Sequence, residues 1–471
     1  MSTPVRVVLS LISHTNIGKT TLARTLLKED VGEVRDAAHV TAESADYILI
    51  QTESDQLVLW DTPGFGNVHQ LLKRLEQEGG ALGWIMHHIV DRAVNRSLYS
   101  SVEAARNVRA ESDVVLYLVN VRERPEDAAY VATEMQLLAA FNKPVLMILN
   151  QVEHQKFNEI NNLKDLEQLW FQQFKGFSCL KEVMTLDAFA RSWHQELQLI
   201  DKVHGMLTGE KQAALKRLRA RFLLMQQHLF DECSRFAADT LWFAAHQRME
   251  QSEDASPKTV FQTMVSRLQA QLDQYLDLLV QRHRIEAEGQ ARLEADIRQV
   301  TGLVSEPMAE KRAGLLAGAV ASAGSGLMAD MVSGGLTFGG GALLGFLGGY
   351  LGGFSYARLL NLRGKQGPVT WDQVALVQLV KLLASYYLLA AIHGRGKGRL
   401  MLREPAPFLT ETLDQTWPQI EEDTTQLVAM AVRGSGERGD DAYFRSFREV
   451  FARITGDVLA VIFPVHSGEG H

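Results

Sequence analysis

Apolar residues fall along this chain in three successive rhythms. Over residues 1–190 they come as short, β-branched runs at 5–12, 47–50, 57–60, 114–119, 145–149 and 182–186, separated by more polar stretches of helical character. Short apolar runs bounded by turns predict buried strands, and their alternation with helices predicts an α/β layer with a mostly parallel sheet. Only Glu53-Ser54-Asp55-Gln56 and its neighbours separate the second run from the third, too little for a helical crossover, so that pair reads as a hairpin. From Trp193 to Gly302 the apolar positions recur at intervals of three and four. Leu215, Leu218, Phe222, Met225, Leu229, Cys233 and Phe236 form one stripe; Phe261, Met264, Leu268, Leu272, Tyr275 and Leu279 form the next. Two long antiparallel helices follow, with Pro257 placed to open the second.

The third rhythm is carried by glycine and alanine. Residues 313–357 hold Asp330 as their only charge, with Gly314, Gly318, Gly345, Gly349 and Gly353 at spacings that let helices approach closely. Ser333-Gly334-Gly335 suits a turn near the midpoint, and each arm approaches the length of a bilayer span. Both outer flanks are basic, with Lys311 and Arg312 on one side and Arg358, Arg363 and Lys365 on the other. That pattern predicts an apolar hairpin with both ends on the cytoplasmic side of a membrane; packing inside a soluble helical domain is the alternative. Residues 370–392 read as a further apolar helix, opened by Thr370 and Gln373 as a capping box. Its Gln373, Gln378 and Lys381 favour a buried or interfacial helix over a spanning one. The chain thus divides into 1–190, a long-helix region 191–305, the apolar hairpin 306–365 and a helical region 366–471.

Chemistry enters at the end of the first run. Ser13-His14-Thr15-Asn16-Ile17-Gly18-Lys19-Thr20 follows a strand and precedes a helix, the setting of a phosphate-binding loop. Backbone N–H groups of such a loop cradle a polyphosphate together with the helix N-terminus. Lys19 then reaches the β- and γ-phosphates and the Thr20 hydroxyl binds Mg²⁺. Composition narrows the rest. With 471 residues, 46% hydrophobic and 22% charged, the chain supports two to four globular domains. A net charge of −8 argues against a general nucleic-acid binder. Cys179 and Cys233 are too few for a disulfide framework or a zinc site, and residues 1–12 lack signal-peptide character, so a cytoplasmic protein, associated with the inner membrane through the hairpin, is expected. The basic residues Lys211, Lys216, Arg217, Arg219 and Arg221 read as a solvated helix face.

Four features in order complete the picture: the phosphate loop, a lone Thr41 in the polar segment 29–45, Asp61-Thr62-Pro63-Gly64 after a strand, and Asn150-Gln151-Val152-Glu153 after another. Over residues 1–190 the chain resembles a translation-factor-class GTPase of the Era/TrmE type, and its architecture is similar to bacterial Era-like GTPases with a helical C-terminal domain. The resemblance implies an α/β P-loop GTPase fold that binds GTP or GDP with Mg²⁺ and hydrolyses GTP. It places Asn16, Ile17, Gly18, Lys19, Thr20 and Thr21 around the phosphates. Thr20, Thr41 and Asp61 fall at the Mg²⁺, Gly64 at the γ-phosphate, and Asn150, Gln151 and Glu153 at the guanine. Gln151 and Glu153 replace the usual lysine and aspartate, which keeps a carboxylate for guanine and removes a brace from the loop. Phe65 stands where many GTPases carry a water-orienting glutamine. The catalytic group is therefore unassigned, with Thr41 and Lys19 as candidates, and hydrolysis is expected to be slow without a partner. In some proteins of this type an asparagine at the place of Asn16 helps to bind K⁺ against the phosphates. Between Gly64 and the next strand lies an insertion long for a simple switch loop, read either as satellite packing on the GTPase core or as a docking surface for a protein effector, and a nucleotide-dependent homodimer is the remaining expectation. No KH-like module with basic surroundings is present, so nucleic acid is disfavoured as a partner. Three alternatives stay open: a dynamin-like membrane mechanoenzyme, a ribosome or RNA assembly GTPase, and a degenerate G-domain scaffold.

Overall fold

The computed structural model describes residues 4–14, 17–28, 45–62, 65, 68, 71–73, 102, 104–106, 108–121, 123–150, 160–186, 192–250, 257–285, 293, 297, 360–361, 368–393, 405–435 and 439–462. Contacts divide the chain into two compact units. The first comprises Met1–Gln226, His393–Arg403 and Phe463–His471; the second comprises Gln227–Ile392 and Glu404–Ile462.

The first unit is built on a sheet of β1 (Val5–Ser13), β2 (Ala45–Gln51), β3 (Asp55–Asp61), β4 (Val114–Asn120), β5 (Val145–Asn150) and β6 (Leu180–Thr185). Their order is β2-β3-β1-β4-β5-β6, parallel throughout except for the expected β2–β3 hairpin. Strands buried on both faces carry continuous rather than alternating apolar residues, which is why Val114 to Val119 reads as an unbroken run and Val7 to Ile12 as one interrupted only by the buried Ser10. Register brings the carboxyl ends together: Leu11 lies opposite Asp61, and Asn120 opposite Asn150. In a parallel sheet that edge is where ligands collect. Helices α1 (Lys19–Leu27), α2 (Ala129–Ala140), α3 (Ile160–Phe174), α4 (Trp193–Met206) and α5 (Gly209–His246) follow in chain order.

The core of this unit runs past residue 190. Leu199, Ile200 and Val203 of α4 join Ala214, Leu215, Leu218 and Phe222 of α5 in one buried cluster with Leu9, Leu57 and Leu116 of the sheet. The basic face of α5 is open to solvent, as expected, and is partly ion-paired as well. Arg217 donates to both carboxylate oxygens of Asp55 at 2.7 and 2.8 Å, Lys211 pairs with Asp113, and Arg219 pairs with Asp201. Spacing alone could not reveal this, because the acids that meet these bases lie far away in sequence. Lys216 and Arg221 remain exposed.

In the second unit the later part of α5 runs antiparallel to α6 (Pro257–Arg282), as expected, with Pro257 at its start. Glu232 pairs with Arg282 at 2.9 Å, the Phe236 and Tyr275 rings stack at 5.8 Å, and Gln247 donates to the Met264 carbonyl. A short ribbon of β7 (Leu360–Asn361) and β8 (Thr370–Trp371) leads into α7 (Gln373–Ala391), and α8 (Pro405–Thr416), α9 (Glu421–Arg433) and α10 (Asp441–Ile462) pack around it. By length and composition α7 is apolar enough to cross a membrane, yet 89% of its most apolar window is buried within the protein. Its cap differs from the expectation. Thr370 is spent in β8, and Asp372, directly ahead of the helix, accepts from the Val374 N–H at 2.9 Å. Lys381 is buried, held by Asp414 at 2.6 Å beneath the Trp417 ring at 5.0 Å. The glycine-rich stretch 313–357 and most of the insertion 66–110 lie outside the described residues.

Candidate nucleotide site

The site forms where β1 hands the chain to α1. Gly18 adopts φ 89°, a left-handed conformation that side chains with a Cβ avoid, and its carbonyl accepts the first helical bond from Leu22 at 2.9 Å. Lys19 and Thr20 thereby leave the loop together and meet the end of β3. The Lys19 ammonium donates to Asp61 Oδ1 at 2.8 Å, and the Thr20 hydroxyl donates to Asp61 Oδ2 at 3.0 Å. Lys19 and Asp61 are both buried, so the ion pair sits in a low-dielectric pocket of the sheet edge. A hydroxyl and a carboxylate side by side are hard oxygen donors of the kind that Mg²⁺ takes, so this pair fits that ion.

Neighbouring contacts fix both loops. Thr62 donates its hydroxyl to the Leu11 carbonyl at 2.6 Å, and the Phe65 N–H donates to the Ser13 carbonyl at 3.0 Å, with the Phe65 ring fully buried. Ser13, which replaces the loop's first glycine, is accommodated by a local bond from its hydroxyl to the His14 carbonyl at 2.7 Å. At the end of β5 the fully buried Asn150 donates its amide to the Ile17 carbonyl at 2.8 Å. That bond ties the expected base-recognition strand directly to the phosphate loop, a brace across the sheet edge.

One cluster escaped the sequence reading. His14, at the mouth of the loop, meets Glu134 of α2 at 2.8 Å, and the Tyr117 hydroxyl donates to the other Glu134 oxygen at 2.7 Å. The Tyr130 ring lies 4.6 Å from the imidazole. The hydrogen bond to Glu134 holds the His14 pKa above its ordinary value, while burial raises that of Glu134 against the opposing pull of His14 and Tyr117. Burial also pushes the Tyr117 phenol well up. A buried Glu amid apolar α2 positions was the only signal in the sequence, and nothing local named its partner.

Of the expected site residues, Ile17, Gly18, Lys19, Thr20, Thr21, Asp61 and Asn150 gather at this one edge. Asn16, Thr41, Gly64, Gln151 and Glu153 lie outside the described residues. Among the described residues no cluster of three or more His, Cys, Asp or Glu side chains forms a further metal site.

Comparison with known proteins agrees with this arrangement. Residues 8–151 match the family described as 50S ribosome-binding GTPase. GTPase Era of Clostridium botulinum strain Kyoto is 25% identical over 174 residues, 36% of this chain and 49% of the relative. GTPase Der of Campylobacter lari is 25% identical over 178 residues, 37% of this chain and 30% of the relative. The chain therefore spans about half the length of the Era relative and less of Der. Among solved structures, Era in complex with MgGDPNP and a 16S ribosomal RNA fragment aligns over 54% of this chain and 76% of that one, at 14% identity and a TM-score of 0.29. NFeoB from S. thermophilus bound to mGMPPNP aligns over 58% and 88%, at 13% identity and a TM-score of 0.22. Residues 178–433 match a second family, the domain of unknown function DUF3482. The first third of the chain is a P-loop GTPase domain of the Era-like kind, and the chain as a whole belongs to the DUF3482 family.

Proposed function

We propose that the protein is a slow GTP-hydrolysing switch whose nucleotide state is read by its helical region. The observation that carries this reading is the convergence of Lys19, Thr20 and Asp61 at the carboxyl edge of the sheet, with Asn150 braced to the same loop. In it, the loop N–H groups from Asn16 to Thr21 and the Lys19 ammonium bind the phosphates. Thr20, Asp61 and Thr41 would hold Mg²⁺, and the Gly64 N–H would contact the γ-phosphate. Bound Mg²⁺ supplies charge neutralisation at the phosphates. Asn150 and Glu153 face the guanine edge. Water attacks the γ-phosphate, releasing GDP and phosphate. Phe65 turns its ring into the core, so no side chain there orients that water, and slowness follows. K⁺ beside Asn16 would supply part of the missing positive charge. Displacement of labelled GDP tests the reading: GTP should compete and ATP should not, and hydrolysis should run faster in KCl than in NaCl. Equal displacement by ATP would overturn the guanine assignment, and equal rates in the two salts would remove the K⁺ role.

The composition of residues 313–357 supports a membrane-associated hairpin as the element so controlled. A charge at bilayer depth costs roughly 2.5–3.5 kcal/mol on insertion scales. The double substitution Leu343→Arg with Leu347→Arg should therefore release the protein from floated anionic liposomes while leaving GDP binding intact. Wild-type protein that ignores liposomes in both nucleotide states would make the stretch a glycine-rich soluble core.

A further inference from the structure

A cavity of about 620 Å³ opens in the second unit, between the last turns of α5 and the middle of α6. Two facing stripes line it at helical spacing. Asp239, Trp242, Phe243 and His246 come from α5; Arg267, Gln271 and Gln274 come from α6. Phe236 adds a ring at one end and Arg248 a guanidinium at the other.

Several of these walls are built and held. The Trp242 ring, almost wholly buried, lies against His246 at 4.3 Å and Tyr443 at 4.9 Å. Its outer edge occupies the space of the side chain that Gly434 lacks, since a Cβ there would come within 2.0 Å of the ring. His246 is fixed between the Trp242 and Gly434 carbonyls at 2.9 and 3.0 Å. Gln247 is fixed too, donating to the Met264 carbonyl at 3.2 Å and accepting from the Trp371 indole at 2.7 Å. The two guanidiniums are not held in this way. Some basic side chains elsewhere find acids, as Arg217 finds Asp55, Arg282 finds Glu232 and Arg448 finds Asp231, and others, Lys216 and Arg221 among them, stand exposed. Arg248 and Arg267 line one cavity from two elements, and neither makes a hydrogen bond or ion pair with another described residue. Among the described residues that line it, Asp239 is the only carboxylate.

We propose that this cavity binds a small organic anion. Its carboxylate or phosphate is shared by Arg248 and Arg267, and its flat apolar body lies against the Phe236, Trp242 and Phe243 rings. Guanidinium forks match planar and tetrahedral oxyanions alike, and the Gln271 and Gln274 amides supply further donors at the rim. A metal cation is disfavoured, with one carboxylate against two guanidiniums. The site lies wholly within the second unit and is independent of the nucleotide reading.

Calorimetric titration of the full chain with naphthalene-2-carboxylate tests it. One saturable site is expected, with Arg248→Gln and Arg267→Gln each weakening it about tenfold. The neutral analogue naphthalene-2-methanol should bind at least about tenfold more weakly, and inorganic phosphate alone more weakly still, since each keeps half of the recognition. Far-UV circular dichroism and the melting temperature should be the same in wild type and both variants, which certifies the folded chain. Four outcomes would overturn the proposal: no saturable binding of the naphthoate, binding unchanged in both variants, equal binding of the neutral analogue, or phosphate alone binding as tightly.

Discussion

Strand β3 carries a buried aspartate at each end, and the two have opposite fates. Asp55, at the start, accepts two bonds from Arg217, one from the Ser54 hydroxyl at 2.9 Å and one from the Thr52 hydroxyl at 3.2 Å. The Arg217 bonds hold its pKa below the ordinary carboxylate value. Its donors come from its own hairpin and from α5, all elements of fixed scaffold. Asp61, at the far end, takes its donors from the phosphate loop, where Lys19 and Thr20 stand ready for anionic phosphate and a cation. A buried ionic pair is poor evidence of function by itself. What separates structure from function here is whether the partner group sits on a ligand-binding loop.

Substitution at the two ends should break the comparison cleanly. Lys19→Ala should weaken GDP binding roughly a hundredfold by calorimetry, the loss expected for a charge-assisted contact to phosphate. Asp55→Asn should leave GDP affinity unchanged and instead lower the melting temperature, because Arg217 then faces a half-matched partner. If Asp55→Asn also weakened GDP, the two ends of the strand would be one system.

Glu134 straddles the contrast, being a buried carboxylate held by Tyr117 of the sheet and by His14 at the mouth of the loop. Glu134→Ala strands His14 and Tyr117 and should cost about 3 kcal/mol in denaturant unfolding, the range for breaking a buried pair. GDP affinity in this variant should fall far less than in Lys19→Ala.

The smallest effect is a pH slope from His194, on α4. Burial lowers its pKa from 6.5 to about 4, so the folded state favours the neutral ring. The stability this contributes is present above pH 6.5 and is lost as the pH falls from 6.5 towards 4. Melting temperatures at pH 7 and pH 4.5 should therefore differ less for His194→Gln than for wild type.

These cases also divide what the sequence could disclose from what it could not. The strands were legible because parallel, doubly buried strands write themselves as apolar runs. The phosphate loop was legible because Gly18, Lys19 and Thr20 are adjacent, and local geometry dictates their types. The acid partner of Arg217 was not legible because it lies far off in the chain, and an exposed basic stripe looks the same with or without one. The Glu134 cluster was invisible for the same reason, its members coming from the loop after β1, from β4 and from α2. Thr370 reads as the cap of α7 because a capping-box spacing is conspicuous in letters. The backbone had already committed Thr370 to β8.

The place of β1 also sets an order of assembly. It precedes β3 and β4 in the chain, yet it pairs in parallel with both. Leu9 meets Leu59 on one edge and Val114 on the other. Until β3 is made, β1 has no partner, and until β4 is made one of its edges stays open. Long-range parallel pairing is slow because chain closure precedes any reward. A nascent chain halted before Val114 would therefore expose the unpaired edge of its most apolar strand, which makes that interval the natural moment for a chaperone to hold it.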